Sequence, residues 1–405
     1  MMRKRIPIWL LMVSLFVWAG VAAAQGPPPP APGAVTSGTE GLKITGFISA
    51  TAFLQNQNFT FGNGQNAEFP NAPQTTTDRW FLDGDVRNTR LTFTFNGPKL
   101  DNGLKTGGVV EGDFFGGFNG TGAFSNAQAT PRLRLAYIDL GHGRTTFRIG
   151  QNWAPLFGNV AVSYSHIAFP LGYGSAGDVG WRFPGISMYQ DLTRTGAAVT
   201  SKLTLAVMRN TWNTPGDLIN SQSAGQASTL PQVEARLDFG GKGRSGSTWG
   251  AYGVVHWDKK DLSGAGVKTA NDSLTGWAGE FGAKFNAGPA MLQGNIYTGK
   301  AIGQQFGQMA QFGDIKSWGA WVQGGFNFTK RWQGLLFLGT EKANKAEVLA
   351  AKQTRTKNMM FVPSLMYSLG PYGFNVEWLH DQVTTGATDI KTKGDQFATS
   401  MIFKF

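Results

Sequence analysis

The sequence has no cysteine and no long apolar run. With no cysteine among its 405 residues, the chain forms no disulfide and offers no thiolate to a metal or redox centre, which fits a protein that is exported without thiol chemistry. Beyond residue 24 there is no apolar stretch of about 18 residues, the length that marks a membrane helix, and the mean hydropathy is −0.18. A bundle of transmembrane helices is therefore excluded.

Motifs of catalysis and of nucleic-acid binding are also scarce. The chain has four histidines and lacks a G-x-S-x-G in a hydrolase context, an H-E-x-x-H and a P-loop. His380 and Asp381 are adjacent and would point to opposite faces of a strand, which argues against a catalytic pair. The formal charge of +11 is spread without a dense Lys/Arg run, so it favours anionic solutes or lipids over nucleic acid. We expect no enzymatic activity, no cofactor and no metal site.

The last residues of the chain alternate between apolar and polar positions. Phe397, Met401 and Phe405 fall on one face, and Gln396 and Ser400 on the other, as in a strand with one face toward lipid and one toward water. Such strands in a chain of ordinary hydropathy predict a closed β-barrel, which satisfies its backbone groups within the sheet. The terminal Phe405 resembles the assembly signal of bacterial outer-membrane barrels, so we expect the barrel-assembly machinery to recognise it.

The amino-terminal segment has the three parts of a secretory signal peptide. Three basic residues precede an apolar stretch that ends near Val21, and residues 22–24 supply an A-x-A cleavage site. We expect cleavage after residue 24; an uncleaved anchor is the alternative, although the apolar stretch is short for a membrane span. The domains are then the signal peptide 1–24, a Pro-rich periplasmic segment 25–41, and the barrel 42–405. The proline run at 26–33 within that segment is unable to join a sheet, because it lacks backbone donors.

Runs of alternating apolar and polar residues predict sixteen antiparallel strands. An even number fits an all-β, up-and-down transmembrane barrel with both termini on the periplasmic side of a bacterial outer membrane. The sixth run is the weakest, and a miscount by one hairpin would give two strands fewer or more. The predicted strands are 42–54, 87–97, 105–115, 131–140, 144–151, 186–192, 202–212, 231–239, 247–258, 273–285, 290–300, 317–328, 332–342, 358–369, 372–381 and 394–405.

Short and long connections alternate along the chain. Short turns rich in Gly, Asn and Pro are predicted on the periplasmic side, and the longer polar loops on the exterior. The predicted turns are Asn96-Gly97-Pro98, Gly141-His142-Gly143, 286–289, 329–331 and 370–371, and the exterior loops include 55–86, 152–185, 301–316 and 343–357.

Charged residues on the second to fifth strands carry the functional prediction. Alternation turns Leu133, Leu135 and Tyr137 toward lipid, and it turns four arginines and two carboxylates into one wall of the lumen. An arginine fork makes paired hydrogen bonds to carboxylate or phosphate and keeps its charge. The wall therefore predicts anion selectivity, and bracing by arginine–carboxylate pairs is a second role compatible with it. The predicted pore-lining residues are Arg90, Arg132, Arg134 and Arg148, with the acids Glu111 and Asp113.

The loop 152–185 is rich in aromatic residues and poor in charge. We expect it to fold into the barrel and narrow the pore, because so many exposed rings would invite aggregation. A constriction that is basic on one side and aromatic on the other would suit an organic anion with a ring or apolar body; a purely packing role for the rings is the alternative. The residues of this predicted constriction loop are Trp153, Phe157, Tyr164, Phe169, Tyr173, Asp178, Trp181 and Arg182.

Three segments of the sequence resemble known porins. VVEGDFFG at 109–116, PRLRLAYI at 131–138 and RIGQNW at 148–153 are similar to the third to fifth strands and the start of the constriction loop of proteobacterial porins, in particular the DcaP-like trimeric porins. The motif similarity covers about residues 87–157. It implies a homotrimer, diffusion of small anionic solutes such as dicarboxylates, and a constriction lined by the four arginines and faced by the two acids. Members of that family often carry a helical coiled-coil segment before the barrel, where this chain has the Pro-rich segment.

These features predict a porin, a water-filled channel for passive diffusion of small hydrophilic solutes with a preference for organic anions. The expected partners are anionic solutes, outer-membrane lipid and lipopolysaccharide, the barrel-assembly machinery and further copies of the chain. Small outward residues on the first strand, such as Gly46, Ala50 and Ala52, leave room for a neighbouring subunit. The alternatives are a barrel enzyme of the lipase type and a closed structural or adhesive barrel.

Overall fold

A computed structural model describes residues 41–60, 64–72, 79–117, 128–212, 223–243, 246–263 and 273–405. The predicted signal peptide and the Pro-rich segment up to residue 40 lie outside these described residues. Within them, no helix is long and apolar enough to cross a membrane.

Antiparallel strands dominate the described chain, and they form one continuous sheet of seventeen segments. The bounds are β1 Gly41–Gln55, β2 Phe81–Asp85, β3 Arg90–Lys99, β4 Lys105–Asp113, β5 Arg132–His142, β6 Thr145–Trp153, β7 Arg182–Asp191, β8 Val199–Met208, β9 Gln232–Lys242, β10 Thr248–Asp261, β11 Ser273–Ala287, β12 Ala290–Lys300, β13 Lys316–Asn327, β14 Trp332–Ala343, β15 Arg355–Leu369, β16 Tyr372–Thr385 and β17 Ile390–Lys404. Short helices of the described residues are α1 Ala224–Ala227, α2 Gly303–Phe306 and α3 Lys345–Ala350, and a 3₁₀ turn spans Gly64–Asn66.

The sheet closes into a barrel through β1. One edge of β1 pairs with the last strand, β17. The other edge pairs with β2 over residues 51–55 and with β3 over residues 41–47. Because β2 and β3 follow each other along the same edge, they are two pieces of one barrel strand, and the seventeen segments make sixteen strands. The predicted sixteen-stranded antiparallel barrel is confirmed.

The piece β2 was not expected from the sequence, which places it in the loop 55–86. Asp83, Gly84 and Asp85 are of types that are depleted in strands, yet the segment pairs fully with the end of β1. The sixth barrel strand is also longer than predicted, since β7 begins at Arg182 rather than at residue 186. The weakest predicted strand is therefore present and extended.

One predicted turn is wrong. Asn96-Gly97-Pro98 lies inside β3, where the pairing with β4 jumps from Asn96 to Lys99. Proline has no amide donor and is tolerated at such an irregularity. The chain turns instead at residues 100–104, where the Leu100 amide donates to the Leu104 carbonyl at 2.9 Å.

Burial alternates along strands whose pairing keeps its register. In β10 the side chains of Tyr252 and Val254 are buried inside the barrel, while Val255 and Trp257 are exposed on the outer face. A slip by one residue relative to β11 would exchange these faces, and the pairing has no such slip. Large apolar side chains occupy the outward positions of many other strands, among them Ile48, Leu91, Phe147, Ile149, Ile186, Phe281, Ile296, Leu338, Val376 and Met401.

A bulge in β5 overturns part of the predicted alternation. The pairing of β4 with β5 skips Arg134, because Glu111 pairs with Leu135 and the next residue, Gly112, pairs with Leu133. An extra residue in one strand reverses the faces of the residues beyond it. Leu135 and Tyr137 are 3% and 7% exposed and point inward, while Ile138 is 58% exposed and points outward. The prediction that Leu135 and Tyr137 face lipid is therefore wrong, although the prediction for Leu133 holds.

Residues 154–181, between β6 and β7, fold into the barrel as predicted, and we call them the inner loop. Leu156 and Val179 pack with Val254 of β10 in one apolar cluster. Leu171 packs with Phe337 of β14 in another. The inner loop thus contacts distant parts of the wall and fills part of the interior.

Other loops that were predicted to face the exterior also turn inward. Phe306 of α2 packs edge-on against Phe183 with 5.4 Å between the ring centroids, and its carbonyl accepts the Gly180 amide at 2.9 Å. Phe69, in the first long loop, clusters with Met309. These loops carry apolar side chains that lose contact with water only when they pack inside. Several loops therefore share the interior.

Candidate functional site inside the barrel

Arginines and carboxylates of β3, β4 and β5 form one group of ion pairs, which we call the arginine wall: Arg90, Glu111, Asp113, Arg132 and Arg134. Arg132 donates from Nε and Nη2 to the two oxygens of Asp113 at 2.9 and 2.7 Å. Arg134 bridges both acids, donating to Glu111 Oε1 and to Asp113 Oδ2 at 2.8 Å each. The Nε atom of Arg90 lies 3.9 Å from Glu111.

Strand geometry explains this arrangement. Glu111 and Asp113 are two residues apart on β4, so their side chains share the inner face. Asp113 pairs directly with Arg132, and the bulge at Arg134 directs a second guanidinium toward the same acids. Three of the four predicted pore-lining arginines and both predicted acids are therefore brought together.

The arginine wall is largely closed to water. The Arg134 side chain is 2% exposed, and that of Asp113 is fully buried. Arg90 and Arg132 remain partly exposed. A buried ion pair is favourable only when its hydrogen-bonding groups are satisfied, and both carboxylates here accept from guanidinium groups. With three guanidinium groups on two carboxylates, the wall keeps one formal positive charge in excess.

Aromatic rings cover the arginines. The guanidinium carbon of Arg132 lies 5.3 Å from the Phe169 centroid and 5.8 Å from that of Trp181. That of Arg134 lies 5.6 Å from the ring of Trp153. A cation over a ring face at such distances is attracted by the ring quadrupole. The rings were expected on the opposite side of the constriction, but the structure places these three on the arginines themselves.

Two predicted residues of the constriction loop belong to strands. Trp153 ends β6 and Arg182 begins β7. The Arg182 guanidinium carbon lies 4.3 Å from the ring of Trp181 and 4.6 Å from that of Trp153, and its Nη1 has no hydrogen-bond partner among the described residues. Arg182 thus brings a further positive charge next to the arginine wall.

Arg148 stands apart from the wall, contrary to the prediction of a single group of four arginines. It donates from Nε and Nη2 to Asp139 at 2.8 and 2.7 Å, and its guanidinium carbon lies 3.6 Å from the centroid of Tyr137. Asp139 was not predicted from the sequence. Its position two residues after Tyr137 on β5 would have indicated an inward carboxylate only if the bulge had been known.

Burial favours the neutral form of the acids around the inner loop. Asp178 is fully buried with no hydrogen-bond partner for either carboxylate oxygen among the described residues, and this burial raises its pKa well above the usual value. Burial likewise raises the pKa of Glu68, although Arg355 opposes the shift. The pKa of the Tyr173 phenol is raised by burial and by the nearby Glu68. The inner loop therefore brings little negative charge to the interior.

Polar side chains of the barrel strands that were not predicted from the sequence hold the inner loop in place. The Leu156 amide donates to Glu234 at 2.7 Å. The two ring nitrogens of His166 lie 2.9 Å from Glu377 and 3.1 Å from Gln396. The hydroxyl of Tyr164, one of the predicted residues of the constriction loop, accepts from Lys404 Nζ at 3.2 Å. Alternation identifies such strand residues as inward, but their partners depend on the path of the loop.

Within the described part of the chain, three of the four histidines, His166, His256 and His380, bond to carboxylates or amides rather than to nucleophiles. His256 Nδ1 lies 3.1 Å from Glu234, and His380 Nδ1 lies 2.7 Å from Asp395. No serine or threonine hydroxyl bonds to an imidazole there, as nucleophilic catalysis of the hydrolase type requires. No group of three or more His, Asp or Glu side chains in the described ranges is placed to hold a metal ion.

Comparison with known proteins relates the chain to porins through its fold. No protein-family model matches it, and no curated protein sequence matches it. The outer membrane channel DcaP of Acinetobacter baumannii is 18% identical, with a TM-score of 0.68 over 90% of this chain and 97% of that one. An anion-selective porin from Comamonas acidovorans is 14% identical, with a TM-score of 0.58 over 91% of this chain and 100% of that one.

A third similar structure is OmpT, an outer membrane protein of Vibrio cholerae, at 11% identity and a TM-score of 0.52 over 90% of this chain and 97% of that one. Identities this low establish likeness of fold. The resemblance seen in the sequence motifs is thereby confirmed at the level of architecture. The protein is a closed sixteen-stranded β-barrel with inward-folded loops and has the fold of these outer-membrane porins.

Proposed function

We propose that the protein is a porin that lets small hydrophilic solutes diffuse passively across a bacterial outer membrane and that favours organic anions. The observation that carries the anion preference is the excess of guanidinium groups inside the barrel. Arg90, Arg132 and Arg134 meet only two carboxylates, and Arg182 lies beside them. A lumen with a net positive field concentrates small anions.

The location follows from the outer surface. The outward side chains form an apolar face around a barrel whose backbone groups pair within a closed sheet, as a lipid environment requires. We place the tight turns and both termini on the periplasmic side. The proposed outer-membrane partners are lipid and lipopolysaccharide, with the barrel-assembly machinery recognising Phe405.

The solute class is an organic anion with an apolar body, such as a dicarboxylate. Arg132 is the more exposed of the two arginines that donate to Asp113, and the rings of Phe169 and Trp181 lie over its guanidinium group. A carboxylate could approach that guanidinium while an apolar body contacts the rings. The resemblance to DcaP-like porins implies the same class of solute.

The oligomer is proposed to be a homotrimer. Gly46, Ala50 and Ala52 lie on the outward face of β1, and a side chain at Gly46 would meet the backbone carbonyl of Arg90. Small outward residues allow a second barrel to approach closely. One structure similar in fold is described as the trimer form of OmpT. Native mass spectrometry of the detergent-extracted protein would show three copies, and a monomer would contradict the proposal.

The channel is tested by reconstituting the full mature chain in planar bilayers under a KCl gradient. We expect stepwise currents and a reversal potential that indicates chloride preference. Arg132→Gln should lower the chloride-to-potassium permeability ratio, whereas Arg144→Gln, at an exposed turn, should leave it unchanged. Absence of step currents in the wild type would overturn the porin proposal. An unchanged ratio in Arg132→Gln would overturn only the role of the arginine wall.

A further inference from the structure

A second group of cationic side chains lies inside the barrel, toward the tight turns. It lines a cavity of about 450 Å³ between the start of the inner loop and strands β6 to β12. The cationic lining residues are Arg148, Lys202, Arg236 and Lys284. We call this cavity the turn-side chamber.

Carboxylates are scarce in the turn-side chamber. Asp238 is the only acid among its lining residues. Its Oδ1 atom accepts from Arg236 Nε and Nη2 at 2.9 and 2.8 Å, and its Oδ2 atom lies 3.8 Å from Lys202 Nζ. Lys284 has no carboxylate within 4.0 Å among the described residues. Even with Arg148 paired to Asp139, the chamber keeps two formal positive charges in excess.

The two lysines keep unused hydrogen-bond donors. An ammonium group has three donors, and the separation of 3.8 Å between Lys202 and Asp238 is too long for a direct hydrogen bond. The Lys202 side chain is 30% exposed, so its ammonium group is accessible from the chamber. Lys202 and Lys284 can therefore donate to an anion without breaking a bond of the described structure.

The chamber is also rigid and partly aromatic. Arg236 donates through Nη1 to the Pro155 carbonyl at 3.0 Å, which fixes the start of the inner loop above the chamber. Its guanidinium carbon lies 3.7 Å from the centroid of Tyr252. Phe157 is stacked on Trp153 with centroids 4.0 Å apart, and Tyr189 lies 6.0 Å from Lys202 Nζ. Fixed rings beside ammonium groups suit a flat, apolar ligand that carries a negative charge.

The turn-side chamber is distinct from the arginine wall. Of the five residues that form the wall, none lines the chamber. Trp153 contacts both regions, because it lines the chamber and lies over Arg134. The two regions therefore share Trp153 but no cationic side chain.

We infer that the turn-side chamber is a second binding site, for a small aromatic carboxylate. The ammonium groups of Lys202 and Lys284 bind the carboxylate, and the rings of Tyr189 and Phe157 contact the flat apolar body. The inference rests on the proposed channel function, since the solute reaches the chamber through the lumen. It adds a binding site that is independent of the arginine wall.

The test uses benzoate as the aromatic probe and acetate as a probe of equal charge without a ring. Each is added to the reconstituted full chain, and the concentration that halves the chloride current is measured. Benzoate should block wild type at a lower concentration than acetate. Lys202→Gln with Lys284→Gln should raise the half-blocking concentration of benzoate by about tenfold or more, as expected for loss of a charge-assisted hydrogen bond.

Matched variants separate this site from general charge effects. Lys300→Gln with Lys345→Gln removes two charges at the long-loop side and should leave the benzoate block unchanged. Lys202→Arg with Lys284→Arg should retain the block, which distinguishes lost binding from a misfolded barrel. If benzoate blocks wild type and the Lys202/Lys284 glutamine variant equally, the inference is overturned, although the porin proposal stands as long as wild type conducts. If wild type does not conduct, calorimetric titration of the detergent-solubilised protein with benzoate decides the site separately, and absence of binding there overturns it.

Discussion

The arginine wall and the turn-side chamber both place cationic side chains inside the barrel, but these side chains have different carboxylate partners in the two regions. In the wall, Arg132 and Arg134 hold two carboxylates through short, multiple hydrogen bonds. In the chamber, Lys202 has one distant acid, and Lys284 has no carboxylate within 4.0 Å among the described residues. The wall uses arginine, whose planar fork matches a carboxylate, and the chamber adds lysine, whose flexible ammonium group is a point charge.

This difference separates two roles that inward cations can have. Removing a buried guanidinium that two carboxylates share leaves those carboxylates with fewer hydrogen-bond donors, so the stability of the folded barrel depends on it. An ammonium with unused donors contributes little to stability and is available to a solute. Bracing and selectivity were predicted as compatible roles for one wall. In the structure, the two regions serve these roles to different degrees.

The largest expected effect is a loss of unfolding free energy when an arginine of the wall is replaced. Arg134→Ala leaves Glu111 and Asp113 with fewer donors in a buried site, and we expect a loss of about 3–5 kcal/mol of unfolding free energy. Urea unfolding of the detergent-solubilised barrel, followed by tryptophan fluorescence, measures it. Arg144→Ala is the matched control, because Arg144 is 53% exposed and lies 3.8 Å from an equally exposed Asp191. Its loss should stay below about 1 kcal/mol; equal losses in the two variants would remove the distinction.

Strand alternation predicted the architecture well. The period of two and the composition of the short turns are local properties, so they predicted the sixteen strands and the inward position of Arg132 and Arg148. The bulge at Arg134 is not local, because it depends on which residues of β4 and β5 pair. For that reason Tyr137 was assigned to the wrong face and Asp139 was missed as the partner of Arg148.

The inward loops show a second limit of prediction from sequence. The aromatic residues of the inner loop indicated burial, but Phe69 and Phe306 belong to loops whose composition resembled exterior loops. Their burial depends on the space that the inner loop leaves inside the barrel. The chamber was also missed: its lysines and Arg236 lie on the consecutive strands β8 to β11, but only the path of the inner loop across these strands encloses a cavity.

A second effect concerns the inner loop that lies between the two regions. The pKa of Asp178 is raised by burial, so the folded barrel binds a proton more tightly than the unfolded chain. The resulting stability is fully present below the unfolded pKa of about 4 and is lost as the pH rises through the folded pKa. Asp178→Asn should flatten this part of the pH profile of unfolding and increase stability at alkaline pH.

Urea midpoints measured between acidic and alkaline pH test the Asp178 prediction. Asp314→Asn is the control, since Asp314 is exposed and forms its ion pair with Lys300 at the surface. In Asp314→Asn the urea midpoint should change with pH as steeply as in wild type. A slope in Asp178→Asn that equals that of wild type would mean that Asp178 is charged inside the folded barrel, and the inner loop would then add negative charge between the two cationic regions.

The smallest expected effect on stability distinguishes the two regions most sharply. Lys284→Gln removes an inward charge that has no carboxylate within 4.0 Å among the described residues, so the unfolding free energy should change by less than about 0.5 kcal/mol. The chloride-to-potassium permeability ratio should nevertheless fall, because the chamber loses a charge that no acid compensates. Lys345→Gln, at an exposed lysine paired with Asp389, should change neither quantity. A large loss of stability in Lys284→Gln would show that the chamber braces the barrel as the wall does, and an unchanged ratio would show that its excess charge does not reach the ion path.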